Sequence, residues 1–122
     1  MEKILKYGSG WRLGWDPTAA VYKGLIGGDD WAIELTEAEW QDLRRLLSQL
    51  TATMAAMATE LMDEESIACE AESELLWLEA TGFPDNYSLR FILYQGRGCE
   101  GNWSATALPE LLAAWDNLLY NF

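Results

Sequence analysis

The chain has 122 residues, half of them apolar, which is the size of one ordinary domain and enough to bury a core without disulfides or a metal. It carries 20 acidic residues, 8 basic residues and no histidine, for a formal net charge of -12. That charge opposes broad attraction to nucleic acids and to anionic membranes. The lack of histidine excludes a serine or cysteine triad of the usual kind and a histidine-ligated metal centre, so we expect no enzymatic activity and no cofactor.

The segment from Ile4 to Leu35 predicts a meander of about three antiparallel strands. Trp11, Leu13 and Trp15 alternate with smaller or polar residues, as the buried face of a strand does. A turn at Asp16 and Pro17 precedes a second strand from Val21 to Ile26. The run GGDD that follows is a turn signal before a third strand, which alternates through Trp31, Ile33 and Leu35.

A long helix is predicted from Leu35 to Glu65. Thr36 and Glu39 have the spacing of a capping box, and Leu35 and Trp40 that of a hydrophobic staple. Apolar residues then recur every three or four positions and form one seam: Trp40, Leu43, Leu47, Leu50, Met54, Met57 and Leu61. A helix of this length spans roughly 40 Å, more than the width of a domain this small.

The second half repeats this order of elements. Residues 69 to 80 alternate as one strand, with Glu70, Glu72 and Glu74 on one side and Cys69 to Trp77 at odd positions on the other. Residues 81 to 86 predict a turn, and Tyr87 to Leu93 a returning strand. Pro109 suits the first turn of a closing helix, whose seam comprises Leu108, Leu111, Trp115, Leu118 and Phe122.

These patterns predict an α+β fold made of two pseudo-repeats, each an antiparallel meander followed by a helix. We expect a single domain over residues 1–122, with halves of about 1–65 and 66–122. Because a heptad seam normally packs against another helix, the simplest arrangement joins the two seams and places one sheet from each half against them.

The sequence also indicates a compartment. No apolar run approaches the roughly 18 residues of a membrane-spanning helix, so no membrane insertion is expected. The first residues lack the pattern of a secretory leader, which favours a cytoplasmic protein with reduced thiols. Cys69 and Cys99 are therefore predicted to be free.

Four runs of sequence resemble a small cyanobacterial family of unknown function, the DUF1818 type. They are GWRLGWDP at 10–17, KGLIGGDDWAIELTEAE at 23–39, ELMDEE at 60–65 and CEAESELLWLEA at 69–80. The resemblance covers nearly the whole chain and implies a cyanobacterial or plastid-type cytosolic setting. It also implies a fold similar to single-stranded-DNA-binding transcriptional regulators, in which sheet-then-helix units exchange helices. It implies no activity and carries over no catalytic or binding residue.

The first functional hypothesis is a non-enzymatic domain that binds a protein partner. No Lys or Arg occurs from Leu46 to Leu89, while nine acidic residues do. The candidate partner-binding residues within this span are Asp63, Glu64, Glu65, Glu70, Glu72 and Glu74. The same carboxylates are weak metal candidates, because they lack the ligand spacing and central glycine of an EF-hand loop.

The second hypothesis is a regulator that binds single-stranded nucleic acid. Seven tryptophans offer stacking surfaces, and the basic residues in or near the strands are Arg12, Lys23, Arg90 and Arg97. Most of the tryptophans fall on apolar faces, however, and four cations are few against a net charge of -12. We therefore expect no nucleic-acid binding at physiological salt unless these basic residues converge.

Two further expectations concern assembly and small molecules. A pocket between sheet and helices would make the protein a small-ligand binder, which is the third hypothesis. The length of the first helix, together with the apolar residues Met54, Met57, Leu61 and Met62 near its end, predicts a homodimer.

Overall fold

The structure, a computed structural model, describes residues 3–58, 65–94 and 98–119. These residues form two four-stranded antiparallel sheets, each followed by a helix, so the predicted α+β class is confirmed. The elements are β1 (Ile4–Gly8), β2 (Trp11–Trp15), β3 (Gly24–Gly27), β4 (Ala32–Leu35), α1 (Glu37–Met57), β5 (Ile67–Glu72), β6 (Leu76–Phe83), β7 (Asn86–Leu93), β8 (Glu100–Trp103) and α2 (Leu108–Leu119).

The first sheet has the strand order β1-β2-β3-β4, one strand more than the sequence predicts. The extra strand arises because residues 9 and 10 turn the chain between β1 and β2, with Gly10 at a φ of 85° that favours glycine. The predicted strand from Val21 is also shorter, since β3 begins at Gly24 and both Val21 and Tyr22 are exposed. Leu13, Ile26 and Ile33 are register partners on the inner face.

Helix α1 begins as the sequence predicts. The Thr36 hydroxyl accepts a hydrogen bond from the Glu39 amide at 3.2 Å, and the Glu39 carboxylate accepts one from the Thr36 amide at 2.9 Å. The helix has 21 residues, or roughly 32 Å at 1.5 Å per residue, and is shorter than predicted. Five seam residues are buried (Trp40, Leu43, Leu47, Leu50 and Met54), Met57 is half-buried, and Leu61 lies outside the described residues.

The two helices are exchanged between the sheets. Helix α1 follows the first sheet but packs on β5 and β6, whereas α2 follows the second sheet and packs on β1 and β2. The Trp11 indole nitrogen donates to the Glu110 carboxylate of α2 at 3.0 Å. The two predicted seams meet where the ring centroids of Trp40 and Trp115 lie 4.6 Å apart, while each helix also covers the sheet of the other half. Leu46, beside the seam, is also buried, so the apolar surface of α1 is wide enough to cover a sheet as well.

The second sheet corrects another prediction, because residues 69 to 80 form two strands rather than one. The turn between β5 and β6 is held by Ser73, whose amide donates to the Leu76 carbonyl at 2.8 Å. The Ser73 hydroxyl accepts from the amides of Leu75 and Leu76 at 3.1 and 3.3 Å. After this reversal Trp77 pairs with Glu72, so it lies on the glutamate side of the sheet. The predicted turn at 81–86 shrinks to Pro84 and Asp85, because β6 extends to Phe83.

An aromatic cluster joins the two sheets. The buried Trp103 indole nitrogen donates to the Gly27 carbonyl at 2.8 Å. Trp31 lies 5.5 Å from Trp103 and 5.7 Å from Phe91 between ring centroids. Gly101 permits this packing, since a Cβ there would lie 2.7 Å from Trp31 and 2.8 Å from Phe91. The described sheets are thus linked by a directional hydrogen bond as well as by apolar contact.

Candidate functional site

The outer face of the second sheet collects the charged and aromatic side chains of β5 to β8. In the strand register Glu70, Glu79, Arg90 and Asn102 form one row, and Glu72, Trp77, Ile92 and Glu100 form the next. The alternate residues, such as Leu78 and Phe91, are buried on the inner face. We call the outer set, which comprises Glu70, Glu72, Trp77, Glu79, Arg90, Ile92, Tyr94 and Glu100, the acidic sheet face.

Two aromatic side chains on this face are fixed by the glutamates beside them. The Trp77 indole nitrogen donates to the Glu70 carboxylate at 2.8 Å, and the Tyr94 hydroxyl donates to the Glu72 carboxylate at 2.6 Å. The bond to Glu72 raises the pKa of Tyr94 above its ordinary value, and burial and the charges of Glu72 and Glu70 act in the same direction. Both rings remain half-exposed, so they are ordered but still open to contact.

Arg90 is the cation of the acidic sheet face. Its guanidinium lies 5.4 Å from the centroid of the Trp77 ring, and its Nη2 lies 3.5 Å from a carboxylate oxygen of Glu100. Both partners of this ion pair are more than half exposed, so the pair contributes little to stability. Four glutamates surround this arginine on the face, which leaves a local excess of negative charge.

The acidic residues predicted as a partner site are only partly brought together. Glu70 and Glu72 lie on the acidic sheet face, whereas Glu74 is exposed in the turn between β5 and β6 and Glu65 is exposed before β5. Asp63 and Glu64 lie outside the described residues. Within residues 3–58, 65–94 and 98–119, no group of three or more acidic or cysteine side chains is arranged to hold a metal ion.

The predicted basic residues make separate local contacts. Arg12 donates to the carbonyls of Gly28 and Trp31 at 2.9 and 2.6 Å, and thereby closes the turn after β3. At the other end of β3, Lys23 donates to the carbonyls of Pro17 and Ala19, both at 3.0 Å. Arg90 lies on the second sheet, and Arg97 lies outside the described residues. The contacts of Arg12 and Lys23 give these two side chains a role in holding loops.

A groove of about 1010 Å³ lies between α1 and α2. Apolar lining comes from Leu47, Leu112 and Trp115, and polar lining from Arg44, Arg45 and their neighbours on α1. Sequence reasoning places a pocket between sheet and helices instead. The groove depends on how the helices cross after exchange, which no local sequence signal specifies.

Sequence reasoning also missed Trp77 and Tyr94 as members of the acidic sheet face. The available signal was Ser73 followed by Glu74, since serine hydroxyls stabilise tight turns by accepting nearby amides. A turn at Ser73 transfers Trp77 from the inner to the outer side of the sheet. Cys69 and Cys99, by contrast, form no disulfide, as the sequence predicts.

Residues 6–118 match the model of a family described as "Domain of unknown function (DUF1818)". The chain belongs to the DUF1818 family. A solved structure from Prochlorococcus sp. NATL2A, described as a protein with unknown function from the DUF155 family, has 30% sequence identity to this DUF1818 protein and a TM-score of 0.89. The similarity covers 95% of this chain and 98% of that chain. No curated protein matches the DUF1818 chain described here.

These comparisons confirm the family predicted from the sequence and agree with its cyanobacterial character. The similarity to single-stranded-DNA-binding regulators stays a prediction. In the described part of the DUF1818 protein, neither helix is long and apolar enough to cross a membrane.

Proposed function

We propose that this DUF1818 protein binds a basic protein partner through the acidic sheet face and carries out no reaction itself. The observation that supports the proposal most directly is the pair of half-buried aromatic rings held by Glu70 and Glu72. The sequence contains no histidine, which removes the commonest catalytic base. A cytoplasmic location in a cyanobacterium, as the family resemblance implies, belongs to the same proposal.

Aromatic side chains favour this use of the face. Tryptophan and tyrosine are enriched in the cores of protein interfaces and dominate their binding energy. A side chain that is already ordered loses less conformational entropy when a partner binds. Trp77 and Tyr94 meet both conditions, since each is half-exposed and each donates a hydrogen bond to a glutamate.

The charge of the face favours a basic partner. Glu70, Glu72, Glu79 and Glu100 outnumber Arg90, and this local excess has the same sign as the net charge of -12. Complementary charge accelerates association and suppresses wrong partners, while its contribution to affinity varies with burial. Binding should therefore weaken as salt is raised.

A pull-down with quantitative mass spectrometry at low and high salt tests the proposal. The variant Glu70→Gln/Glu72→Gln should lose a protein that the wild type recovers at low salt. The matched control is Glu37→Gln/Asp116→Asn, which changes the charge equally at two exposed positions on the helices. Recovery of the same proteins by both double variants would contradict the proposal.

A titration with single-stranded nucleic acid tests the second hypothesis. A labelled single-stranded oligonucleotide, titrated at about 0.15 M salt, should show no saturable binding tighter than about 10⁻⁶ M, the upper end of nonspecific affinity. This expectation rests on the net charge and on the loop contacts of Arg12 and Lys23. Tighter binding would favour a nucleic-acid regulator over the protein partner.

A further inference from the structure

The groove between α1 and α2 combines apolar side chains with a cation, Arg44, that has no partner among the described residues. Leu47, Leu112 and Trp115 supply the apolar lining, and of these Leu47 and Trp115 are buried against the core. Gln41, Ser48 and Thr51 add neutral polar groups along α1. At about 1010 Å³ the groove is at the upper end of the range of small-molecule sites.

Arg44 is the distinctive group in this lining. It is half-buried, and it makes no hydrogen bond or ion pair with any residue that the structure describes. Its neighbour Arg45 differs, because it lies 3.6 Å from the Asp42 carboxylate. A guanidinium presents several donors in a planar fork that fits a carboxylate in a bidentate manner. Arg44 is therefore available to an incoming anion, whereas Arg45 is already compensated.

A second unsatisfied donor belongs to Trp115. Its indole nitrogen is buried and has no hydrogen-bond acceptor among the described residues, and the same is true of Trp40, whereas those of Trp11, Trp77 and Trp103 have one. A buried donor without an acceptor is unfavourable. Because the Trp115 nitrogen is itself buried, the Trp115 ring offers apolar contact to the groove, and Arg44 is the donor open to a ligand.

We propose that this groove binds an amphipathic organic anion, a molecule with one carboxylate and an extended apolar body. The carboxylate pairs with Arg44, and the apolar body covers Leu47, Leu112 and the Trp115 ring. This site is separate from the acidic sheet face, and the inference does not depend on the proposed protein partner.

The charges around the groove limit the ligand to a single negative group. Asp42 and Asp116 also line it, so the two arginines leave no net positive charge. Asp42 is occupied by Arg45, which leaves Asp116 as the repulsive group opposed to a bound anion. Charges more than roughly 8 Å away are largely screened at physiological salt, so the groups of the groove lining decide the selectivity.

Three probes separate the parts of this ligand. Decanoate has both the carboxylate and the apolar chain, acetate has only the carboxylate, and decyltrimethylammonium has the same chain length with a positive charge. Calorimetric titration at about 0.15 M salt should show saturable binding of decanoate alone. Equal binding of decyltrimethylammonium would mean that only the apolar surface matters, and no binding of decanoate would overturn the proposal.

Variants then locate the binding site. Arg44→Gln should weaken decanoate binding about tenfold, the value of one hydrogen-bonded charge contact. Arg90→Gln makes the same charge change on the acidic sheet face and should leave decanoate affinity unchanged. Asp116→Asn should strengthen binding. Equal effects of Arg44→Gln and Arg90→Gln would contradict the assignment of the carboxylate to Arg44.

A blocking variant provides an independent check. Ser48 is exposed and lines the groove, so Ser48→Trp should fill the groove and abolish decanoate binding. Near-ultraviolet circular dichroism of each variant shows whether the fold is retained. Unchanged decanoate affinity in a folded Ser48→Trp protein would place the ligand elsewhere and overturn the proposal.

Discussion

The two sheets present different outer faces, although each is a four-stranded antiparallel meander with an apolar inner face. On the first sheet the outer rows are Leu5, Gly14, Leu25 and Glu34, then Tyr7, Arg12, Gly27 and Ala32. On the second sheet the corresponding surface carries four glutamates, Trp77 and Arg90. The inner faces are constrained by the exchanged helices, whereas the outer faces are free to differ. The two halves therefore share the requirement for an apolar inner face, but their outer faces differ.

The first outer face has exposed apolar side chains on β1, whereas the second outer face is acidic and aromatic. Gly14 lies between Leu5 and Leu25, and a Cβ there would approach both side chains at 3.4 to 3.5 Å. Leu5 is 58% exposed and Tyr7 is 73% exposed, which is high for large apolar residues. An apolar patch of this kind is suited to contact with another protein surface, without the charge selectivity of the acidic sheet face.

The largest effect is expected from the shared inner packing. Leu47 is 4% exposed on the side of α1 that faces the core, so Leu47→Ala should lower the free energy of unfolding by about 2 to 5 kcal/mol. Ser48→Ala, at the exposed neighbouring position, is the control and should change it by less than about 0.5 kcal/mol. Chemical denaturation measures both. A similar loss for the two variants would mean that the helix packs differently.

A smaller difference in unfolding free energy is expected between variants of the inner and the outer tryptophan of the second sheet. Trp103→Phe removes the donor to the Gly27 carbonyl inside the core and should cost about 1 to 3 kcal/mol of unfolding free energy. Trp77→Phe removes an exposed bond to Glu70 and should cost less than about 0.5 kcal/mol. Denaturation of the two variants side by side tests this contrast. Equal costs would show that the acidic sheet face contributes to the core.

Those stability contrasts follow partly from local sequence and partly from long-range packing. The capping box at Thr36 and Glu39 involves residues three positions apart, so the sequence predicts it correctly. Alternation likewise predicts the buried side of β2. The exchange of helices depends on contacts between residues far apart in sequence, and a heptad seam alone does not distinguish a sheet from a helix as its partner.

The candidate site was harder to predict than the fold. Glu70 and Glu72 could be assigned to an exposed strand face from alternation alone. Alternation through residues 69 to 80 predicts Trp77 on the opposite side, because it does not register the turn at Ser73. Arg90 lies on the returning strand that the sequence predicts, whereas Glu100 joins the face through the pairing of β8 with β7.

The homodimer remains a prediction, but a different apolar surface now supports it. Helix α1 ends at Met57 and its Met54 is buried in the core, so a protruding helix no longer supports self-association. The exposed Leu5 and Tyr7 of the first outer face now supply the apolar surface. Sedimentation should give about twice the chain mass of 13.8 kDa.

A charged substitution locates that interface. Tyr7→Lys should shift the protein to its monomer mass, because it places a charge at the centre of an apolar contact. Thr81→Lys, exposed on the outer side of the second sheet, is the control and should leave the mass unchanged. Wild-type protein that sediments as a monomer at tens of micromolar would contradict the dimer.

The smallest expected effect is a change in the pH titration of Tyr94 on the acidic sheet face. Because the hydrogen bond to Glu72 raises the pKa of Tyr94, the folded state holds that proton more tightly than the unfolded state. The contribution to stability is therefore present below the ordinary tyrosine pKa of about 10 and is lost as the pH rises above it. Ultraviolet titration should show one tyrosine that shifts toward the ordinary value in Glu72→Gln. An identical titration curve in that variant would contradict the contact.

The most direct test of the acidic sheet face is a two-dimensional ¹H–¹⁵N NMR titration with a ten-residue lysine peptide. We predict saturable shifts of the Trp77 indole signal and of the backbone amides of Glu70, Glu72 and Arg90, which lie together on this face. These shifts should be absent from Glu70→Gln/Glu72→Gln and present in Glu37→Gln/Asp116→Asn. Shifts centred instead on Leu5 and Tyr7, or no saturable shifts at all, would contradict the proposal that this face recognises a basic partner.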